Sequence, residues 1–126
     1  MSAKVTDTQR AKWRPVGFAA HFCSREKCQF HLATVIEETY VVSSVGHWTP
    51  NNDGKAEPIG GGDPAVDAPF YETYVFAIAH FTSTGFPFIG PLKYADRYRE
   101  VQDAEKGHVA LCEKVQRLLN RRKKKK

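Results

Sequence analysis

Ala104, His108, Leu111, Cys112, Val115, Leu118 and Leu119 recur at steps of three and four near the end of this sequence. On a helix with 3.6 residues per turn that spacing makes one apolar stripe, and it predicts a helix from about Gln102 to Asn120. Gly107 falls inside the stripe, where it costs about 1 kcal/mol relative to Ala. Its presence therefore predicts a close approach of the helix to whatever it covers. A helix with one apolar face needs a second layer to bury it.

The preceding residues have the other periodicity. Val16, Phe18 and Ala20 alternate with Gly17, Ala19 and His21. Phe30 to Ile36 and Thr39 to Val45 are β-prone runs separated by Glu37-Glu38, which predicts a hairpin. The turn type stays open, because Glu-Glu lacks the Gly or Asn of a primed turn. Phe70 to Phe81 (FYETYVFAIAHF) is the clearest strand, and its second half is apolar enough for burial on both faces or at a subunit contact. Thr49 to Pro69 holds four Gly and four Pro in 21 residues and reads as a long loop, while Tyr94 to Glu100 reads as a polar connector. Strands first and a helix last predict an α+β fold, an antiparallel β-sheet packed against one C-terminal amphipathic helix. At 126 residues there is room for one core. The expected organisation is a flexible basic arm over 1–14, a single domain over 15–120 with the loop at 49–69, and a basic tail over 121–126.

Charge is unevenly placed along this outline. The chain carries 19 basic and 14 acidic residues, for a net +5. Six cations fall in Arg121 to Lys126, and Lys4, Arg10, Lys12 and Arg14 stand against Asp7 alone in the first 14 residues. The body between has nine basic and 13 acidic residues, a net −4. Positive charge confined to the ends predicts weak, nonspecific polyanion contact through the C-terminal tail and no basic stripe on the body. No apolar run approaches the roughly 20 residues of a membrane span, so no membrane partner is expected. Three cysteines and a polar N-terminal stretch predict a cytoplasmic location without a disulfide scaffold.

Six groups of residues bear on chemistry. His21, Cys23, Cys28 and His31 are the right ligand types for tetrahedral zinc, with a C-x4-C spacing inside the usual range. No second C-x-x-C or H-x3-H pair accompanies them, so no cofactor is expected, with zinc the one alternative left open. A Cys–His nucleophile lacks any local activating signature, and Cys112 lies on the buried stripe where an inert thiol is expected. Ile59 to Pro64 is glycine-rich, but no Lys-Ser or Lys-Thr follows, so it is no P-loop. Glu72, inside an apolar strand beside Tyr71, needs a partner if it is buried. His47 and Trp48 stand at the mouth of the long loop, where they could stack on a ligand ring. Arg97-Tyr98-Arg99 is the body's one grouping of two guanidiniums with an aromatic, suited to a phosphate and a base.

Four segments carry a resemblance. Cys28 to Thr34 (CQFHLAT), Val41 to Gly46 (VVSSVG) and Phe70 to Phe76 (FYETYVF) precede Tyr98 and Ala104-x-x-Gly107-His108. Together, over roughly Phe30 to Val115, they resemble a widespread group of small tailed-phage proteins with V-S-T-V, Y-E-T-M-V-F and A-x-x-G-H segments, most of them without an assigned activity. The pattern is also similar to phage proteins that counter Thoeris defence by sequestering a cyclic ADP-ribose signal. This chain departs at Ser44 (usually Thr), at Tyr74 (usually Met) and in the 49–69 insertion. The resemblance implies a non-enzymatic accessory protein that sequesters a small phosphorylated (cyclic) nucleotide, held between protomers of a homo-oligomer. His47, Trp48, Tyr71, Glu72, Arg97, Tyr98, Arg99 and His108 are then the expected ligand-binding residues, and none is catalytic. The rival reading is an accessory protein that binds a host protein or nucleic acid and takes no small ligand.

Overall fold

A computed structural model describes residues 4–16, 28–49, 51, 53–58, 69–83 and 87–124. Its sheet has five antiparallel strands in the order of the chain: β1 (Arg14–Pro15), β2 (Cys28–Ile36), β3 (Tyr40–Trp48), β4 (Tyr71–Phe81) and β5 (Pro87–Tyr98). Helix α1 (Asp7–Ala11) precedes them and α2 (Val101–Lys124) follows. The α+β expectation holds, with the helix against one face of an antiparallel meander.

Strand register explains how both faces become buried. Thr34, Val42 and Val75 lie side by side across β2, β3 and β4, as do Val35, Val41 and Phe76 one step along. Alternation sends the two rows to opposite faces. On one side Ile36, Tyr40, Val42 and Val75 pack against Leu111, Cys112, Val115 and Leu119 of α2. On the other, Ala33, Val35, Val41 and Phe76 form a second cluster with Val16, Tyr74, Ile78 and Phe81 around it. Burial on both faces of β4 centres on Glu72, Thr73, Val75 and Phe76. Its apolar second half, expected to be buried on both faces or at a subunit contact, is half-buried at Ala77, Ile78 and Phe81 and exposed at Ala79 and His80. Leu119, not Leu118, completes the helix contact, because position 119 follows 112 and 115 at steps of seven and four.

Gly46 faces Tyr71 across β3 and β4. A Cβ there would lie 2.7 Å from the Tyr71 ring at Cε1, so the ring covers the bare backbone and meets Phe30 edge-on at 5.2 Å. The aromatic fills the surface that the glycine leaves open.

Three expectations are corrected. The 1–14 arm is not free along its described length: α1 starts in a capping box between Thr6 and Gln9, and Gln9 Nε2 donates to Asn120 Oδ1 at 2.8 Å. Arg10 Nε reaches Glu113 Oε1 at 2.6 Å. The 94–100 connector is largely strand, since Tyr94 to Tyr98 pair with Val75 to Tyr71. Helix α2 does not stop at Asn120 but runs to Lys124, because Lys123 ties to Glu37 at 2.6 Å and Arg122 donates to the Tyr40 hydroxyl at 2.8 Å. These bonds hold the last turn against the repulsion between neighbouring cations.

Glu37 and Glu38 take φ values of 50° and 55°, and Thr39 N–H closes the turn on the Ile36 carbonyl at 3.0 Å. That is primed-turn geometry made without Gly or Asn. A left-handed residue with a Cβ costs about 1–2 kcal/mol. Both side chains are held: Glu38 pairs with Arg14 at 2.9 Å, and Glu37 accepts from Gln116 and Lys123. Burial would raise the Glu37 carboxyl, but Lys123 and Gln116 together keep it below its ordinary value.

Strand β5 is the long outer edge of the sheet. Its pairing with β4 shifts register between Val75 and Phe76 and again before His80, and the strand contains Pro91 and the exposed Lys93 and Asp96. Irregular register, proline and charge all discourage a second strand from adding there. The N-terminal run beyond Val16, most of the 49–69 loop, and the His21 and Cys23 of the zinc set lie outside the described residues.

Candidate functional site

The sheet's antiparallel order returns the end of β3, the start of β4 and the end of β5 to one place. His47 N–H donates to the Phe70 carbonyl at 3.3 Å, and Phe70 N–H to the Tyr98 carbonyl at 3.1 Å. Tyr71 faces Tyr98 and Glu72 faces Arg97 in the register. Seven of the eight expected ligand residues, 47 to 99, therefore meet at one end of the sheet, although they come from three separate segments.

They do not all serve the same purpose there. Asp96, Arg97, Tyr98 and Arg99 line an open depression of about 570 Å³ with Asp103, Lys106, Gly107 and Ala110 of α2. Three cations, two carboxylates and an aromatic ring thus border the space, a net charge of +1, and its volume suits a nucleotide-sized ligand. Tyr98 Oη donates to Asp96 Oδ2 at 3.1 Å, and burial together with that bond pushes its hydroxyl up to about 12, so it remains a donor at neutral pH. Arg99 lies over the Phe70 ring with Cζ 5.5 Å from the centroid.

Glu72 is buried and finds its partner in Arg97, whose Nε is 3.6 Å from Oε2. Burial pushes the Glu72 carboxyl up, opposed by Arg97 and Tyr74. The Arg97 head is 59% exposed, so one guanidinium touches both the buried acid and solvent. Trp48 is half-buried against Cys28 and Val45 and bridges to Glu57 through its backbone. Tyr71 is spent on Gly46 and Phe30. His47 is exposed, with φ at 51°.

His108 is placed in the core. It is 5% exposed, with Nδ1 2.7 Å from Ser44 Oγ and Nε2 2.9 Å from Thr34 Oγ1; Ser44 Oγ in turn lies 2.6 Å from Thr73 Oγ1. Both ring nitrogens are occupied by hydroxyls from the sheet, so the side chain has nothing to present to an outside ligand. Burial lowers its pKa to about 4, leaving a neutral ring at physiological pH. Cys112, one turn along the helix, is pushed up to about 12 by burial, with Thr34 beside it. A thiol in that state is no nucleophile.

The sequence reading missed Lys106, which stands one residue before the packed Gly107, and missed the Thr34–Ser44–Thr73 cage. The signal for the cage was parity: these three share the face of Ile36, Val42 and Val75, where a polar residue needs a partner. Of the zinc set, Cys28 is buried and the His31 ring lies on the Cys28 carbonyl. Among the described residues no three His, Cys, Asp or Glu side chains gather as metal ligands would. Nor is any described helix long and apolar enough to cross a membrane.

Compared with protein families, with curated proteins and with solved structures, the chain matches none.

Gly107 shows why the depression has its shape. A Cβ there would fall on the Tyr98 hydroxyl and 2.6 Å from Cε1. In an open helix Gly→Ala gains up to about 1 kcal/mol; here overpacking reverses the sign and Gly107→Ala is expected to cost about 1–3 kcal/mol in urea melts. In a Tyr98→Ala background the same change is expected to be neutral or stabilising. A stabilising Gly107→Ala in the parent chain would mean that Tyr98 does not pack on the helix.

Proposed function

We propose that this chain is a non-enzymatic binder of a small phosphorylated nucleotide, cyclic or ADP-ribose-like, which it sequesters as an accessory protein against a host signal. The observation that carries the reading is the meeting of Arg97, Arg99 and Lys106 with the Tyr98 ring around one open depression. Guanidinium forks match pyrophosphate oxygens, and an aromatic edge or face suits a base. The sequestering role rests on the phage resemblance of the four segments. A single chain forms the depression, so a homo-oligomer is an addition to this site and not its precondition.

Titration calorimetry against ADP-ribose, cyclic ADP-ribose and related nucleotides, with chromatography of the recovered ligand, tests the reading. At least one ligand is expected to bind at micromolar concentration or tighter and to be recovered unchanged. Arg99→Gln and Lys106→Gln are each expected to weaken it about tenfold, the loss of one charge-assisted contact. No binding by any ligand would favour the protein or nucleic-acid partner instead. Recovery of an altered ligand would make the chain an enzyme.

A further inference from the structure

The two ends of the chain, which the sequence presents as separate basic segments, are folded onto each other. Asn120 of α2 bonds both the Gln9 side chain and the Lys4 carbonyl, Arg10 reaches Glu113, and Lys123 reaches the β2–β3 turn at Glu37. Between these parts lies one shallow cleft in which Lys12 and Lys123 are balanced by Glu37 and Glu38, with Trp13 and Gln116 beside them. Lys4, Arg10 and Lys12 are thereby brought to the same end as Arg117, Arg121, Arg122 and Lys123, while Arg14 lies over Phe81 on the other face of the sheet. Against these seven cations stand Asp7, Glu37, Glu38 and Glu113, an excess of three positive charges among the described residues.

We infer that this end of the molecule is a single built surface for the phosphate backbone of a nucleic-acid duplex, read without sequence preference. Three observations choose that partner. Four of the seven cations are arginines, whose planar forks suit phosphate oxygens. Arg10 already holds Glu113 and Asp7, and Arg122 holds the Tyr40 hydroxyl, so a phosphate would share or replace those bonds. The described large apolar side chains that are exposed, Leu32, Leu92 and Val109, lie on the middle of β2, on the opposite edge strand β5 and on the first half of α2, and none is on α1 or the last turns of α2. An interfacial membrane helix needs an apolar face there, so a lipid surface fits poorly. The one aromatic at the centre, Trp13, is half-buried, and its Nε1 donates to the buried Gln116 at 3.0 Å. Unpaired bases therefore lack an open ring to stack on, which favours a duplex over a single strand. The surface lies apart from the depression at Arg97 to Arg99, so it stands or falls independently of the nucleotide proposal.

Fluorescence anisotropy with a labelled duplex of mixed sequence, titrated at several salt concentrations, reads the surface directly. Two double variants are compared, Lys4→Gln with Lys12→Gln on the N-terminal side and Arg117→Gln with Arg121→Gln on α2. Each is expected to weaken duplex binding about tenfold near 0.1 M salt and to flatten the log–log salt slope by about 2. Neither is expected to alter thermal melting by more than a surface change does. If only the α2 pair matters, the flexible-tail picture is right and the built surface is wrong. Tighter binding to anionic vesicles than to the duplex would overturn the choice of partner. Equal loss from Lys93→Gln, on the far edge, would show that net charge alone is being read.

Discussion

Lowering the pH from 7 to 4 is expected to remove about 3 kcal/mol of stability through His108 alone. Its ring is buried between α2 and the sheet, with its pKa lowered to about 4 by burial. The unfolded chain takes up a proton near pH 6.5, while the folded chain resists it until about pH 4. Between those values the unfolded state binds more protons, so stability falls as pH falls. The contribution is complete above about pH 6.5 and gone below about pH 4. Hydroxyls of Ser44 and Thr34 could accept from a doubly protonated ring, so its bonds do not forbid the charge. Desolvation does, and no carboxylate is bonded to the ring to offset it. Glu72 works in the opposite direction: its raised pKa makes protonation easier in the folded chain. The comparison with His108→Gln isolates the histidine. Urea midpoints across pH 7.5 to 4 should converge for the two proteins as the pH drops. A difference that stays constant over that range would mean that the ring is solvated and titrates alike in the folded and unfolded chains.

Leu111→Ala is expected to cost about 2–5 kcal/mol. Leu111 is 8% exposed in the cluster that joins Ile36, Tyr40, Val42 and Val75 to α2. The described structure has one long helix over this face, so a void beneath it has a stiff sheet as its floor. Sheet strands bonded on both sides cannot sink to fill it, which places the cost toward the upper part of the range. Val109, 52% exposed on the same helix, is the control, and its Ala variant should stay within about 0.5 kcal/mol. A Leu111→Ala loss under about 1 kcal/mol in denaturant melts would remove α2 from the core.

Local chemistry in the sequence was enough to place β2, β3, β4 and the body of α2. The strands are rich in β-branched and aromatic residues over nine or more positions, and the helix is long enough for its 3.6 period to show. The α+β class followed from the order of those elements. Gly107 also announced itself, since a glycine inside a strong helical stripe needs a close neighbour to explain it. The neighbour itself, Tyr98, could not be read, because nothing local connects position 98 to position 107 until β5 turns back into α2.

Tertiary structure alone decided the rest. Strand β5 is an irregular edge with Pro91, Lys93 and Asp96, so it lacks a clean alternation and looks like a connector until β4 offers its free bonds. His108 sits on an apolar stripe in the sequence; that it is caged by hydroxyls depends on the register that aligns Thr34, Ser44 and Thr73. The strained Glu37-Glu38 turn exists because Arg14, Gln116 and Lys123 hold its carboxylates from distant segments. Charge shows the same division most clearly. Composition revealed that both ends are basic, but only the docking of α1 on α2 makes them one surface, because electrostatic potential follows distance in space and not separation along the chain.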